Sequence, residues 1–516
     1  MVIGRLARRL PPHDSPIYKE ERCGLPLPPR YDRNTMKLHE IPTPALIVDL
    51  PAMQRNIDRM AAYFAGRTSK LRPHFKAHKT PAIAKRQLAA GNCTGLTCAT
   101  VGEAEVVARE RLCDEILIAN EIVGPGKAAR AAKLAGETNL IVAVDSDYGL
   151  DDIAAAARAA GTTVGVLVDV GVGLPRCGIA PGEPAVALAK RVDAMDGVVL
   201  RGVMGYEGHV VAIEDRADRE EKAAKAMERL LSTARMVREA GLRCDIVSGG
   251  GTGTYDITGG MEGITEVQAG SYVLMDTAYA KLDIPFEMAF MIRGTVLSRP
   301  RPEQCATDTG LKACAVDHGN PSVKDVDGAQ LLFLSDEHAT IVLPADSPIA
   351  IGDTIDLWPS HIDPTINLHD VLYAVEGGEV VEVWPITARS YPEHLRTLGY
   401  VPPLSQIEYE IANLVVDFDV PYAVVYPEIR RDIQSDLGPA EFDGVIRSMA
   451  QRHLLRLSVR DGSPTVRQPT AADHDAVVRE YIDGERDPDR AGQLFDRADI
   501  WIDVTDVGRI LAAGDR

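Results

Sequence analysis

A chain of 516 residues is longer than one ordinary core can organise, so two or three domains are expected. Its 45% hydrophobic and 25% charged content is that of a soluble globular protein, and its apolar runs are too short to cross a bilayer. The net charge of −19 argues against nucleic acid as the main partner. Eight scattered cysteines without a CxxC pair fit reduced thiols in a cytoplasmic enzyme better than a disulfide or zinc framework.

Residues 1–40 are rich in Pro and Arg and read as an arm. "ALIVDL" (45–50) is an apolar strand, followed by the proline-opened helix "PAMQRNIDRMAAYF". Eight short β-branched runs then alternate with Ala-rich helical stretches: 70–75, 95–100, 115–120, 139–145, 163–170, 198–206, 244–250 and 264–270. Eight strands with helical crossovers predict a (β/α)8 barrel, assigned to 41–284, although periodicity alone leaves a doubly wound sheet open. Strand 45–50 precedes the barrel and is expected to join the next domain. Residues 285–392 change texture to strand-like runs with Gly, Pro and Asp at the turns, which predicts a mainly β domain. Residues 393–516 mix helix and strand patterns, as in a small winged-helix-like α+β appendage. Acidic residues outnumber arginines there and no lysine follows Lys324, so packing or oligomerisation is a better reading than DNA binding.

"LRPHFKAHKTP" (71–81) holds two lysines. If 70–76 is the first barrel strand, Leu71, Pro73 and Phe75 face the helices, while Arg72, His74 and Lys76 face inward. Lys76 then stands at the C-terminal mouth, where barrels of this kind carry their chemistry. Thr80 and Pro81 read as a helix cap and a first helical residue, which leaves Lys79 in the preceding loop, solvated or on an anion. The seventh strand ends in "SGGGTGT" (248–254), a turn whose glycines let backbone N–H groups approach a phosphate. A mouth lysine opposite a phosphate turn predicts pyridoxal phosphate held as a Schiff base. "DVGVGLPRCG" brings Arg176 to the mouth, and "GYEGH" brings Tyr206, Glu207 and His209. An arginine can fix the cofactor's phenolate oxygen, and an imidazole can move a proton near neutral pH.

Together, "IPTPALIVDLPAMQRNI", "LRPHFKAHKTP", "ATVGEAE", "GYEGH", "SGGGTGT", "EVQAGSYVLMD" and "PSHIDPTINLHD" resemble the D-threonine aldolase / D-serine dehydratase family of alanine-racemase-like, pyridoxal-phosphate enzymes. The resemblance spans roughly 36–392. It implies a barrel followed by a β domain, Lys76 as the cofactor-bearing lysine, Arg176 on the cofactor's O3′ and Tyr206 lining the pocket. It further implies that Gly249, Gly250 and Gly251, with Tyr272, hold the phosphate, and that the substrate is a 3-hydroxy-D-amino acid.

In "WPSHIDPTINLHD" an extended backbone would put His361 and Asp363 on one face, within reach of one ion. An imidazole and a carboxylate without thiolate suit Mn²⁺, Mg²⁺ or Zn²⁺, and the resemblance makes this the family's metal pair. Dehydratase members tend to carry cysteine at the position of Asp363, so the expectation leans to an aldolase. In that reading the metal acidifies the 3-hydroxyl, a base such as His209 takes its proton, and the Cα–Cβ bond breaks to an aldehyde and glycine. A D-serine or 3-hydroxy-D-aspartate dehydratase is the nearest alternative, followed by an amino-acid racemase and a non-catalytic pyridoxal-phosphate binder. The resemblance also implies a homodimer.

Overall fold

The computed structural model describes residues 36–389, together with Val420–Pro421, Ile446, Leu455–Val459 and Ile500–Val504. The expected arm, up to residue 35, and the helices of the expected winged-helix-like region lie outside the described residues. The chain divides into two compact units, 1–390 and 391–516.

In the first unit, strand β1 (Ala45–Asp49) leads into helix α1 (Leu50–Phe64). Asp49 caps α1 by accepting from the Ala52 N–H at 2.9 Å, and Pro51 sits where a missing N–H costs nothing. Eight parallel strands follow: β2 (Lys70–Leu71), β3 (Leu96–Cys98), β4 (Glu115–Glu121), β5 (Asn139–Val144), β6 (Val164–Asp169), β7 (Val198–Met204), β8 (Ile246–Gly249) and β9 (Glu266–Val267). They pair in the order β2-β9-β8-β7-β6-β5-β4-β3. Parallel bridges Leu71–Cys93 and His74–Thr97 join the two ends of that series. Every strand coincides with one of the eight runs read from the sequence.

The crossovers are α2 (Pro81–Ala89), α3 (Val101–Arg109), α4 (Pro125–Leu134), α5 (Asp147–Ala160), α6 (Glu183–Asp193), α7 (Arg216–Glu239) and the single turn α8 (Tyr255–Thr258). Alternation sorts the strand residues into two shells. Ile116 and Ile118 pack outward with the helices, while Leu117, Ile141, Ala143, Leu167, Met204 and Ile246 form a separate inner cluster. All six residues of β6 are buried, as a strand covered on both faces must be.

The β domain contains β10 (Phe290–Arg301), β11 (Gln304–Thr307), β12 (Ser322–Val323), β13 (Gln330–Leu334), β14 (Ala339–Val342), β15 (Thr354–Trp358), the short helix α9 (Ile362–Ile366), β16 (Val371–Glu376) and β17 (Glu379–Pro385). β1 lies within this sheet, antiparallel to β10 and parallel to β16, so the first strand ties the domain to the barrel through α1. Gly377 and Gly378, with φ of 59° and 83°, form the two-residue turn between β16 and β17, a backbone path that glycine takes without strain. In the second unit, β18 (Val420–Pro421), β20 (Ile500–Val504) and β19 (Leu455–Val459) form an antiparallel sheet in that order.

Candidate active site at the barrel mouth

The segment carrying Lys76 differs from the expected strand. Regular pairing stops at Leu71, and Lys76 lies in a 3₁₀ turn, Phe75–Ala77. Pro73 has no N–H for the ladder and can only accept, from the Thr97 N–H at 2.9 Å. The inward direction survives for Arg72, which is buried against Glu266 and Glu115, while Phe75 is buried on the opposite side. Lys79 takes the left-handed conformation (φ 52°), and its ammonium donates to Glu103 at 2.6 Å. Of the two anticipated settings for Lys79, the anion is the one found. Glu103 also accepts from the Ala99 N–H at 2.7 Å, while its own N–H donates to Thr100 Oγ1. The Thr100 cap opens α3, and the Ala99 N–H holds the Glu103 carboxylate in place.

Lys76 Nζ is half-buried and stands 3.4 Å from Asp363 Oδ2. The Asp363 carboxylate raises the lysine's pKa, more than burial lowers it. Tyr206 lies in the same field, and burial raises its phenol above its ordinary value. The Arg176 guanidinium, on an exposed loop after β6, is 5.7 Å from the Tyr206 ring centroid. Glycines make room for that ring: a Cβ at Gly208 would come within 2.4 Å of it, and one at Gly251 within 3.3 Å. Arg176 and Tyr206 line a cavity with Asp169, Val172, Leu174 and Cys177. His209 is exposed, its imidazole resting over Gly173.

The glycine turn is organised by Glu207 of the "GYEGH" motif. Glu207 is fully buried and accepts from the Gly250 N–H at 3.0 Å, Thr254 Oγ1 at 2.7 Å and Thr258 Oγ1 at 2.6 Å. The Gly251 N–H donates to Thr254 Oγ1 at 3.1 Å. Two of the N–H groups expected to face an anion are therefore engaged, one by Glu207 and one within the turn. The glycines are needed sterically as well: Gly250 has φ +77°, and a Cβ at Gly249 would lie 2.8 Å from the Gly205 carbonyl. Tyr272 sits beneath this turn, fully buried. Its N–H donates to Thr252 Oγ1, and its hydroxyl accepts from Gln87 Nε2 at 3.0 Å. The other end of Gln87 meets His78 Nε2 at 3.0 Å, so a buried chain runs from the Lys76 segment to the glycine turn.

His361 and Asp363 do converge, although not on an extended strand. His361 is the N-cap of α9 and Asp363 lies in its first turn, where Pro364 is tolerated. His361 Nε2 is 3.9 Å from Asp363 Oδ1, and that oxygen is buried without a hydrogen-bond partner. A buried carboxylate oxygen with no donor is costly, and a cation between the two side chains is what this donor set fits. Sequence reasoning missed three neighbours. Asp317 Oδ2 lies 2.6 Å from His361 Nδ1, and His318 stacks on the His361 ring at 4.0 Å. The buried Asp276, at the end of "GSYVLMD", accepts from the N–H groups of Tyr279 and Ile362, so the barrel end grips the backbone between His361 and Asp363. Burial pushes the Asp276 carboxyl up to about 6. Only the closing Asp of that motif could have flagged the contact; Asp317 and His318 are far from His361 in sequence.

A parallel eight-stranded barrel joined to a β domain, with a lysine at the mouth, defines an alanine-racemase-like enzyme, and this architecture implies pyridoxal phosphate. The model of the alanine racemase N-terminal domain matches residues 48–278, and that of a putative serine dehydratase domain matches 289–375. The chain belongs to the D-threonine aldolase / D-serine dehydratase family. It is 36% identical to a D-threonine aldolase of Arthrobacter sp. over 71% of this chain and 98% of the relative. It is 35% identical to a 3-hydroxy-D-aspartate aldolase of Paracoccus denitrificans over 68% of this chain and 92% of the relative. The crystal structure of D-threonine aldolase from Filomicrobium marinum superposes with a TM-score of 0.67 at 39% identity, covering 69% of this chain and 97% of that one. Relatives named as dehydratases are more distant. Among the described residues, no helix is long and apolar enough to cross a membrane.

Proposed function

We propose that this protein is a pyridoxal-phosphate- and divalent-metal-dependent aldolase that cleaves 3-hydroxy-D-amino acids, of the D-threonine or 3-hydroxy-D-aspartate type, to glycine and an aldehyde. The observation that carries the reading is the position of Asp363. One of its oxygens is 3.4 Å from the Lys76 amine and the other 3.9 Å from His361 Nε2. Asp363 would thus hold a cation beside the amine that would carry the cofactor, where a substrate's 3-hydroxyl could be polarised.

When bound, the cofactor supplies an electron sink for the carbanion left at Cα, and Mn²⁺, Mg²⁺ or Zn²⁺ supplies a Lewis acid for the 3-hydroxyl. Lys76 would anchor the cofactor covalently, and the Arg176 guanidinium, which stands by the Tyr206 ring, would offset charge on its phenolate oxygen. On the family resemblance the turn from Gly249 to Gly251, with Tyr272 beneath it, would hold the phosphate, although its Gly250 and Gly251 N–H groups donate to Glu207 and Thr254. His361 and Asp363 hold the metal. His209, exposed at the mouth, would take the hydroxyl proton as the base. Protonation at Cα then gives glycine. A homodimer and a cytoplasmic location complete the reading, on the family resemblance and the cysteine pattern respectively.

The test is product analysis with D-threonine and with 3-hydroxy-D-aspartate, each with and without Mn²⁺. Glycine plus acetaldehyde, or glycine plus glyoxylate, supports the aldolase. 2-Oxobutanoate or oxaloacetate, released with ammonia, would make the protein a dehydratase. Full racemase activity after exhaustive EDTA dialysis would remove the metal from the reading.

A further inference from the structure

We infer that Asp317 is a positioning residue for the cation site, fixing the tautomer and ring orientation of His361; this rests on the reading that His361 and Asp363 hold a divalent ion. Asp317 Oδ2 lies 2.6 Å from His361 Nδ1. An ionised carboxylate only accepts, so the shared proton belongs to Nδ1, and the Nε2 lone pair is left facing Asp363. His318 covers the ring face, with centroids 4.0 Å apart and planes 6° from parallel. Edge and face are thus both held by two consecutive residues of one turn.

That turn is itself pinned to the segment it serves. Ser360 Oγ donates to the Gly319 carbonyl at 2.6 Å, and the Ala315 N–H donates to Thr365 Oγ1 at 3.2 Å. One bond lies on each side of the Asp317–His361 contact, so the separation of the two side chains is set by backbone anchors.

A rival arrangement is available in the same place, because ligand atoms of Asp317, His318 and His361 all lie within 4.8 Å of one another. The short contact argues against it. Two ligands on one ion at bonds of about 2.0–2.2 Å stand roughly 3 Å apart when they subtend a right angle. A separation of 2.6 Å is a charge-assisted hydrogen bond. Asp317 is half-exposed, so its replacement does not open a hole in the core.

Outer partners of a ligating histidine typically change metal affinity by about 10–100-fold. The experiment is equilibrium dialysis of Mn²⁺ against the full-length, cofactor-loaded protein and its Asp317→Ala, Asp317→Asn and His361→Ala variants. Cofactor absorbance and melting temperature are recorded alongside. The expected result is that Asp317→Ala raises the Mn²⁺ Kd by about 10–100-fold and raises the Mn²⁺ concentration for half-maximal turnover by the same factor. Asp317→Asn, whose amide oxygen still accepts from Nδ1–H, recovers most of the loss. An unchanged Kd in Asp317→Ala overturns the inference. So does an Asn variant as weak as the Ala variant, which would mark Asp317 as a direct ligand. If His361→Ala binds Mn²⁺ as tightly as the parent, the cation site itself has been misassigned, whatever Asp317 does.

Discussion

The two ends of the barrel use the same kinds of residue and leave them in opposite states. Toward the N-terminal ends of the strands, Arg72 donates to both Glu266 oxygens and to Glu115, and Glu115 also receives Arg201. Arg72 is 1% exposed and Glu266 3%, so charges are buried there but each has an opposite partner. At the mouth, Asp363 has one oxygen on Lys76 and the other on nothing, and Asp169 is buried beside Glu121. The lower layer pairs each charge with an opposite one and leaves only guanidinium nitrogens, Arg72 Nη1 and Arg201 Nε, without an acceptor, whereas the upper layer leaves a carboxylate oxygen without a donor. Barrels of this type are expected to separate stability from chemistry along the strand axis in this way.

The separation can be broken most severely at Lys76. Lys76→Ala is expected to abolish the visible absorbance of the lysine-bound cofactor and to cut turnover by at least about 10³-fold, while leaving the unfolding midpoint close to the parent's. Lys79→Ala, which loses an ion pair with Glu103, should keep the absorbance. A band that disappears with Lys79 and survives without Lys76 would exchange the two assignments. Next in size is the lower layer. Glu266→Gln leaves the buried Arg72 guanidinium with Glu115 alone, at a cost of about 3–5 kcal/mol, read as a shift in the urea midpoint. Activity per folded molecule should hold. A variant that stays stable but loses turnover would contradict the division of labour between the two ends.

Most of this division could be read from the sequence, for physical reasons that differ by region. Most of the eight strands were legible because they are β-branched runs buried on both faces and bounded by turn residues, as in β6. Lys76 was legible by strand direction even though the strand stops early, because Arg72 already fixes which way the segment faces. The details lost were those that depend on hydrogen-bond competition. Pro73 converts the predicted strand into a bridge and a 3₁₀ turn, and α9 begins inside the predicted extended HxD segment. Glu207 occupies the Gly250 N–H that the glycine pattern seemed to reserve for an anion. Asp317 and His318 carry no local signal at all, because only the folded β domain brings their turn against His361.

The smallest expected effect sharpens the comparison by asking what an open valence costs. Burial and the Glu121 carboxyl beside it push the Asp169 carboxyl up to about 8, against 3.8 in an unperturbed chain. The folded protein thus binds this proton more tightly than the unfolded one, and stability must fall with rising pH across the interval between the two values. The contribution is complete below about pH 4 and is lost as pH climbs through about 8. Asp276, raised to about 6, adds a slope of the same sign that ends earlier, so the interval from about 6 to 8 belongs chiefly to Asp169. Asp169→Asn carries no such proton, and its urea midpoint should change less than the parent's between pH 6 and pH 8. The lower layer predicts no loss in that interval from Glu115, whose carboxyl, despite burial, is held below its ordinary value by Arg72 and Arg201. Parallel midpoint profiles for parent and variant would mean that the Asp169 proton is not held by the fold, and the contrast between the two ends would then rest on Asp363 alone.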